Sequence, residues 1–156
     1  MKHTISVLAK NQFGVLARIS GLFSARGFNI ESLVVGETEK PEISRLTIEV
    51  LGDGKILEQV MKQLNKLIDV IKVFDLSNNS IKRELFLIKL NFVKENRSEI
   101  IELVNIFKAK ILDVSKDSVI IEIVDEQKKI DSFIDLIKPF GIKEIARTGK
   151  LAIGIG

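Results

Sequence analysis

The order in which apolar periodicities follow one another is the feature that most restricts the fold of this chain. In residues 1–76, apolar side chains follow a strand, helix, strand, strand, helix, strand pattern, with a period of two in the strands and helical spacing between them. Residues 83–156 repeat that order in a different sequence. Each half therefore predicts a βαββαβ ferredoxin-like unit, in which two helices cover one face of a four-stranded antiparallel sheet. The chain is predicted to be an α+β protein with two tandem units, joined by a linker at residues 77–82.

Local signals set the predicted elements of the first unit. Gly27 is placed to end the first helix in a left-handed conformation, and Asp53 is placed to cap the second helix. Apolar alternation predicts strands at residues 3–9, 30–35, 43–51 and 70–76. The helices carry the apolar stripes Val15, Leu16, Ile19, Leu22 and Phe23, and Leu57, Val60, Met61 and Leu64.

One face of the first sheet is predicted to lack helices. A soluble protein must make such a face polar or cover it with a partner. The third strand alternates, with Leu46, Ile48 and Val50 predicted inward and Arg45, Thr47 and Glu49 predicted outward. Since Leu8, Leu33 and Val34 put apolar side chains on more than one strand face, we expect two copies to pair through this unit.

The second unit is predicted by similar signals after the polar run 77–80. Asn96, with Glu99 three residues later, is predicted to cap the third helix of the chain, and Pro139 and Gly141 to end the fourth. The predicted strands cover residues 85–92, 110–115, 119–124 and 142–148. The predicted helix stripes are Ile100, Leu103, Val104 and Phe107, and Ile130, Phe133, Ile134 and Ile137.

The residue inventory excludes several classes of active site. The chain has no Cys, so thiolate chemistry and cysteine-ligated metals are absent, and His3 is its only histidine. No apolar run approaches the ~20 residues that a bilayer requires, and the N-terminus lacks the layout of a signal peptide, so we expect a cytoplasmic protein with no membrane partner. The net charge is +3, but basic and acidic residues alternate, which favours a solvated surface over a nucleic-acid interface.

The segment between the first strand and the first helix, residues 11–16, has the composition of an anion-binding loop. Gly14 allows a close approach of the backbone to a ligand, and the amides that open the next helix have no partner within it. Together with the helix dipole, these amides favour a bound carboxylate. Asn11 adds a carbonyl that can accept from an ammonium group. The same residues also fit an ordinary turn with Asn at a cap and Gly at a positive φ.

Two segments together resemble a known family. The run Asn-Gln-Phe-Gly-Val-Leu-Ala-Arg-Ile at 11–19, paired with Leu-Phe-Ser-Ala-Arg-Gly-Phe-Asn-Ile-Glu-Ser-Leu at 22–33, is similar to an ACT domain. It resembles in particular the small subunit of acetolactate synthase, also called acetohydroxyacid synthase. The runs 44–48, 63–70, 83–85, 107–115 and 139–149 fit the same family in order, so the resemblance covers nearly the whole chain.

The resemblance implies a non-catalytic regulatory subunit. Such a subunit activates a catalytic large subunit and confers feedback inhibition by valine in the synthesis of valine, leucine and isoleucine. The resemblance implies no cofactor in this chain, and thiamine diphosphate, magnesium and FAD in the large subunit. It also implies a homodimer through the ACT domains, residues 1–76, with residues 83–156 as the C-terminal domain of the family.

The effector site follows from the resemblance residue by residue. Asn11 and Gly14 match the family's effector loop, and the amides of Val15 and Leu16 are expected at the effector carboxylate. Asn29 and Ile30 match the segment that meets this loop from the other chain of the dimer. No catalytic or metal-binding residue is implied.

Three alternatives remain at the level of sequence. The chain can be an ACT-type sensor of another enzyme or another amino acid. A ferredoxin-like sheet can also bind RNA through stacked aromatic residues, although this chain has no Trp and no Tyr. Finally, Asp113, Asp117, Glu122, Asp125 and Glu126 cluster in sequence as carboxylate catalysts do, but they fall at positions where acids are normally solvated or act as caps.

Overall fold

A computed structural model describes all 156 residues as nine strands, four α-helices and one short 3-10 helix. In chain order these are β1 (Lys2–Lys10), α1 (Val15–Arg26), β2 (Asn29–Glu37), β3 (Ile43–Leu51), α2 (Gly54–Asn65), β4 (Val70–Asp75), β5 (Ser80–Asn91), α3 (Arg97–Ile106), β6 (Lys110–Val114), β7 (Ser118–Asp125), α4 (Gln127–Ile137), the 3-10 helix (Lys138–Phe140), β8 (Ile142–Arg147) and β9 (Leu151–Gly154). No helix is both long enough and apolar enough to cross a membrane.

The residues group into two compact units. Residues 1–81 and 150–156 form the first unit, and residues 82–149 form the second. Sequence patterns placed a boundary only at 77–82, whereas β5 begins at Ser80 and the last seven residues belong with the first unit.

The first unit is the predicted ferredoxin-like layer. Its sheet has the order β2-β3-β1-β4, and every neighbouring pair is antiparallel. Helices α1 and α2 cover one face because their apolar stripes pack on the inward residues of the strands. The buried core consists of Ile5, Val7, Ala9, Val15, Ile19, Phe23, Leu46, Ile48, Val50, Val60 and Leu64. The predicted fold class is confirmed.

Two local predictions in the first unit are also confirmed. Gly27 ends α1 with φ 69°, the left-handed conformation that glycine adopts without steric cost. Asp53 caps α2, because its Oδ1 accepts a hydrogen bond of 3.0 Å from the amide of Ile56.

The outward face of β3 carries the predicted polar side chains. Thr47 and Glu49 point away from the helices and are buried, with only 2% and 3% of their surface exposed. At Glu49, a residue from the C-terminal segment of the same chain provides the cover. Lys150 forms a 2.7 Å ion pair with Glu49, and its backbone amide donates a 3.1 Å hydrogen bond to the hydroxyl of Ser32. Part of the face expected to need a partner is therefore covered within one chain.

The second unit repeats the layer with the strand order β6-β7-β5-β8. Its core lies between that sheet and helices α3 and α4, and Phe107 and Phe133 meet in it with ring centroids 5.3 Å apart. The predicted cap of α3 is wrong in detail. Asn96 precedes the helix, but its Nδ2 donates to the carbonyl of Asn91 and its Oδ1 accepts from the amide of Val93, so no side-chain cap forms.

Candidate functional site

The loop between β1 and α1 favours glycine at position 14. Gly14 has φ 84°, a conformation that side chains with a Cβ rarely adopt. A Cβ at this position would lie 3.0 Å from Nη1 of Arg18, a flexible side-chain end. The predicted turn is therefore present, and it brings the loop directly into the first turn of α1.

An ion pair that the sequence analysis missed holds this loop in place. Nε of Arg18 lies 2.6 Å from Oδ2 of Asp69, and the carbonyl of Asp69 accepts a 2.9 Å hydrogen bond from the amide of Lys10. The two partners lie 51 positions apart, so no local pattern could have paired them. The contact joins both ends of the loop to the segment before β4, which keeps the start of α1 fixed relative to the sheet.

The first-turn amides are the main donors of the loop. The amide of Val15 already has an acceptor, the carbonyl of Gln12, at a long 3.3 Å. The amides of Leu16 and Ala17 belong to the first helical turn and have no helical carbonyl four residues before them. With the positive end of the helix dipole, they make this end of α1 suitable for a carboxylate.

Asn11 is tied to the turn between β2 and β3. Its Nδ2 donates a 2.9 Å hydrogen bond to the carbonyl of Pro41, and its backbone amide donates to the carbonyl of Glu42 at 2.8 Å. These bonds use the backbone N–H and one of the two side-chain N–H donors of Asn11, and they leave Oδ1 as an acceptor. The predicted role of Asn11 toward an ammonium group is compatible with this arrangement.

A small cavity opens beside the loop. It has a volume of about 60 Å³ and is lined by Lys10, Asn11, Gln12, Val15, Leu16, Val35, Ser44 and Leu46. Of the predicted residues, Asn11, Val15 and Leu16 line the cavity. Gly14 lies in the same loop but does not line it. The contributions of Lys10, Val35 and Ser44 could not be predicted from local sequence patterns, because they depend on the register that pairs Lys10 with Ile43 and Glu37 with Ser44.

Asn29 and Ile30 lie at the other end of the sheet. Asn29 pairs with Leu51, which in turn pairs with Lys2, whereas the cavity lies where Lys10 pairs with Ile43. Eight residues of strand at ~3.4 Å each separate the two ends by about 27 Å. One chain therefore does not bring Asn29 and Ile30 to the loop.

The volume of the cavity also indicates that one chain does not form a complete site. A closed cavity that holds a molecule as small as benzene has a volume of about 150 Å³. The present cavity, at about 60 Å³, is too small to enclose an amino acid. It can serve only as one wall of a larger site.

Two family models together match nearly all of the chain. A model of an "AHAS small subunit-like ACT domain" matches residues 5–72, which span β1 to the first part of β4. A model of the "Small subunit of acetolactate synthase" matches residues 83–156.

Individual proteins are similar over the whole length. The probable acetolactate synthase small subunit of Archaeoglobus fulgidus is 58% identical over 153 residues, which cover 98% of this chain and 96% of that protein. The acetolactate synthase small subunit of Bacillus subtilis is 48% identical over 158 residues, which cover 100% of this chain and 92% of that protein. The crystal structure of the acetolactate synthase small subunit from Thermotoga maritima is 45% identical and superposes with a TM-score of 0.93, covering 100% of this chain and 98% of that one.

Proposed function

This chain belongs to the family of acetolactate synthase small subunits, and we propose that it activates the catalytic large subunit and makes that enzyme sensitive to valine. In this proposal the chemistry lies entirely in the large subunit, with its thiamine diphosphate, magnesium and FAD. The chain described here binds the effector in the cytoplasm and contributes no catalytic residue.

The observation that carries the proposal is the geometry at the start of α1. The left-handed Gly14 brings first-turn amides next to a cavity that also presents the side chain of Asn11. Amides at a helix N-terminus suit a carboxylate, and an amide oxygen suits an ammonium group. A free α-amino acid carries both groups on one carbon, so the two kinds of polar partner match it.

A second copy of the chain would complete the site. Strand β2 has nine residues and lies at the edge of its sheet. One row of its backbone N–H and C=O groups can therefore form hydrogen bonds with another strand. A two-fold axis near the middle of β2 pairs two copies antiparallel, which moves Asn29 of the partner subunit toward residue 37 of the first. Val35, which lies near the residue 37 end of β2, lines the cavity. The shared site would therefore receive an amide side chain and the apolar Ile30 from the partner subunit.

Valine fits the proposed site in size and polarity. Its isopropyl group would lie between Val35 on one chain and Ile30 on the partner subunit. Burial of a side chain of this size contributes roughly 1.5 to 3 kcal/mol. One additional methylene changes the binding free energy by about 1 to 3 kcal/mol, so leucine and isoleucine are expected to bind with different affinities from valine.

Regulation requires only that valine prefers one geometry of the dimer. A ligand shifts a conformational equilibrium by its difference in affinity for the two states, and typical coupling free energies are about 1 to 3 kcal/mol. This range changes a conformational or binding equilibrium by about 5-fold to 150-fold. No chemistry in the small subunit is needed.

The test compares Gly14→Asp with Gly14→Asn. Both side chains tolerate the left-handed conformation, and the Cβ of each would lie against Nη1 of Arg18, so the two variants share a shape and differ in charge. Two unit negative charges ~5 Å apart at an effective dielectric constant of 20 repel by about 3 kcal/mol, which weakens binding about 100-fold. We expect Gly14→Asp to activate the large subunit without valine inhibition, and Gly14→Asn to retain most of the inhibition.

Two measurements check this expectation. Calorimetry on the isolated chain with valine, leucine and isoleucine measures effector binding, and acetolactate formation by the reconstituted enzyme measures inhibition. Full valine inhibition with Gly14→Asp would contradict the proposed site. An absence of valine binding to the wild-type chain and to its complex would contradict valine as the effector.

A further inference from the structure

Two cations on the first unit share one aromatic ring and have no acidic partner. The guanidinium of Arg45 lies 5.9 Å from the ring centroid of Phe74, and the ammonium of Lys72 lies 4.9 Å from it. Neither of these residues takes part in an ion pair within the chain. We call Arg45, Lys72 and Phe74 the basic-aromatic cluster.

The cluster is built by the register of three strands. Leu8 of β1 pairs with Arg45 on one side and with Lys72 on the other, and Ser6 pairs with Phe74. Because side chains alternate along a strand, these residues share the face of the sheet opposite to the helices. Nη1 of Arg45 also donates a 2.6 Å hydrogen bond to the hydroxyl of Ser6, which fixes the guanidinium on the sheet.

No carboxylate of the chain compensates the two positive charges of the cluster. Arg45 is partly buried, and burial of a charge is costly unless a counter-charge and hydrogen bonds compensate for it. The hydroxyl of Ser6 accepts one of the five N–H donors of the guanidinium but carries no charge. A second positive charge at Lys72 adds to the local positive potential. The arrangement therefore favours an acidic group from outside the chain.

The cluster lies directly behind the candidate effector cavity. Ser44 lines the cavity, and Arg45 is the next residue along β3, so the two side chains emerge on opposite faces of the same strand end. A ligand that shifts the start of β3 in the cavity must therefore also shift Arg45. Effector binding in the cavity and docking of a partner at the cluster would therefore be coupled through β3.

We propose that the basic-aromatic cluster is a docking point for a carboxylate side chain, Asp or Glu, of the catalytic large subunit. This inference rests on the proposed function, because it assumes that the two subunits associate. A fixed Arg beside a partly buried Phe, on a sheet face without helices, has the composition of a protein interface, in which Arg and Phe are enriched. A small free anion would need a concave site instead.

The test is charge removal and charge reversal in the full chain. Lys72 is exposed, so Lys72→Gln leaves the fold intact, while Arg45→Gln and Arg45→Glu remove and reverse the second charge. The matched control is Arg83→Gln, an exposed arginine whose Nη1 donates only to the neighbouring carbonyl of Lys82. The readouts are the Kd for the purified large subunit at two salt concentrations, and valine binding to the chain alone.

We expect Lys72→Gln and Arg45→Gln each to weaken association, and their double variant and Arg45→Glu to weaken it about tenfold or more. The salt dependence of association should become shallower in the double variant, because fewer charges are paired on binding. Arg83→Gln should match the wild type. Valine binding by Lys72→Gln alone should match the wild type, since Lys72 is not in the cavity.

The outcomes separate the two proposals. If the wild-type chain does not associate with the large subunit, the proposed function fails. If it associates, but Lys72→Gln and the double variant keep the wild-type Kd and salt dependence, the docking point is overturned while the proposed function stands.

Discussion

Removing the ammonium of Lys150 should destabilise the first unit more than any surface charge change. Lys150 and Glu49 form a 2.7 Å ion pair whose side chains keep only 9% and 4% of their surface exposed. Lys150→Met leaves the carboxylate of Glu49 buried without its counter-charge. Breaking a buried pair in this way costs about 3 to 5 kcal/mol, a large fraction of the 5 to 15 kcal/mol that typically stabilises a domain.

The assay is urea unfolding followed by far-ultraviolet circular dichroism at pH 7. With a slope of about 1 to 3 kcal/mol per molar urea, the predicted loss lowers the midpoint by about 1 to 5 M. The control is Lys89→Met, which removes the partly exposed partner of Glu144 and should lower the midpoint only slightly. The double variant Glu49→Leu with Lys150→Met should recover most of the stability, because an apolar pair of similar size avoids the desolvation cost. A Lys150→Met midpoint equal to that of Lys89→Met would refute the reasoning.

Three further predictions concern local contacts. Asp53→Ala should lower the free energy of unfolding by about 1 kcal/mol, measured by urea unfolding, because the amide of Ile56 loses its cap. Phe133→Ala should lower it by about 3 to 5 kcal/mol in the same assay, because Phe133 is fully buried. The hydrogen bond and charge of Lys89 lower the pKa of Glu144, so its stabilising contribution is present above the ordinary pKa of a glutamate and is lost as the pH falls through the lowered pKa. Carboxyl NMR titration of Lys89→Met should show that pKa rising.

The sequence predicted the features that depend on neighbouring residues. The range 43–51 for β3 agrees with the structure at both ends, because its alternation is continuous and the turn with Pro41 precedes it. Gly27 and Asp53 were correct for the same reason, since a helix end depends on one residue and the backbone groups beside it.

Features that join distant segments were not predictable in this way. The ion pairs Arg18–Asp69 and Glu49–Lys150 join residues far apart in sequence, and nothing in the local pattern marks either pair. Alternation placed Thr47 on the outward face of β3, but alternation does not reveal what covers that face. The cap by Asn96 failed because its amide found other partners at the end of β5.

The candidate site contains residues of both kinds, some close in sequence and some brought together by strand pairing. Asn11, Val15 and Leu16 lie together because they are nearly consecutive, and Gly14 supports them. Val35 and Ser44 joined them only through the pairing of β2 with β3. The predicted contribution of Asn29 stays a prediction, because it depends on a second chain.

The most direct test of the shared effector site is a complementation measurement. Gly14→Asp damages the loop side of the site, and Asn29→Ala damages the side expected from the partner subunit. Coexpressed in equal amounts, the two variants form mixed dimers in which one site carries both changes and the other carries neither. Calorimetry should then find about one quarter of the wild-type number of valine sites, at wild-type affinity, although each variant alone binds valine weakly. A mixture that recovers no sites would contradict a pocket shared between two protomers.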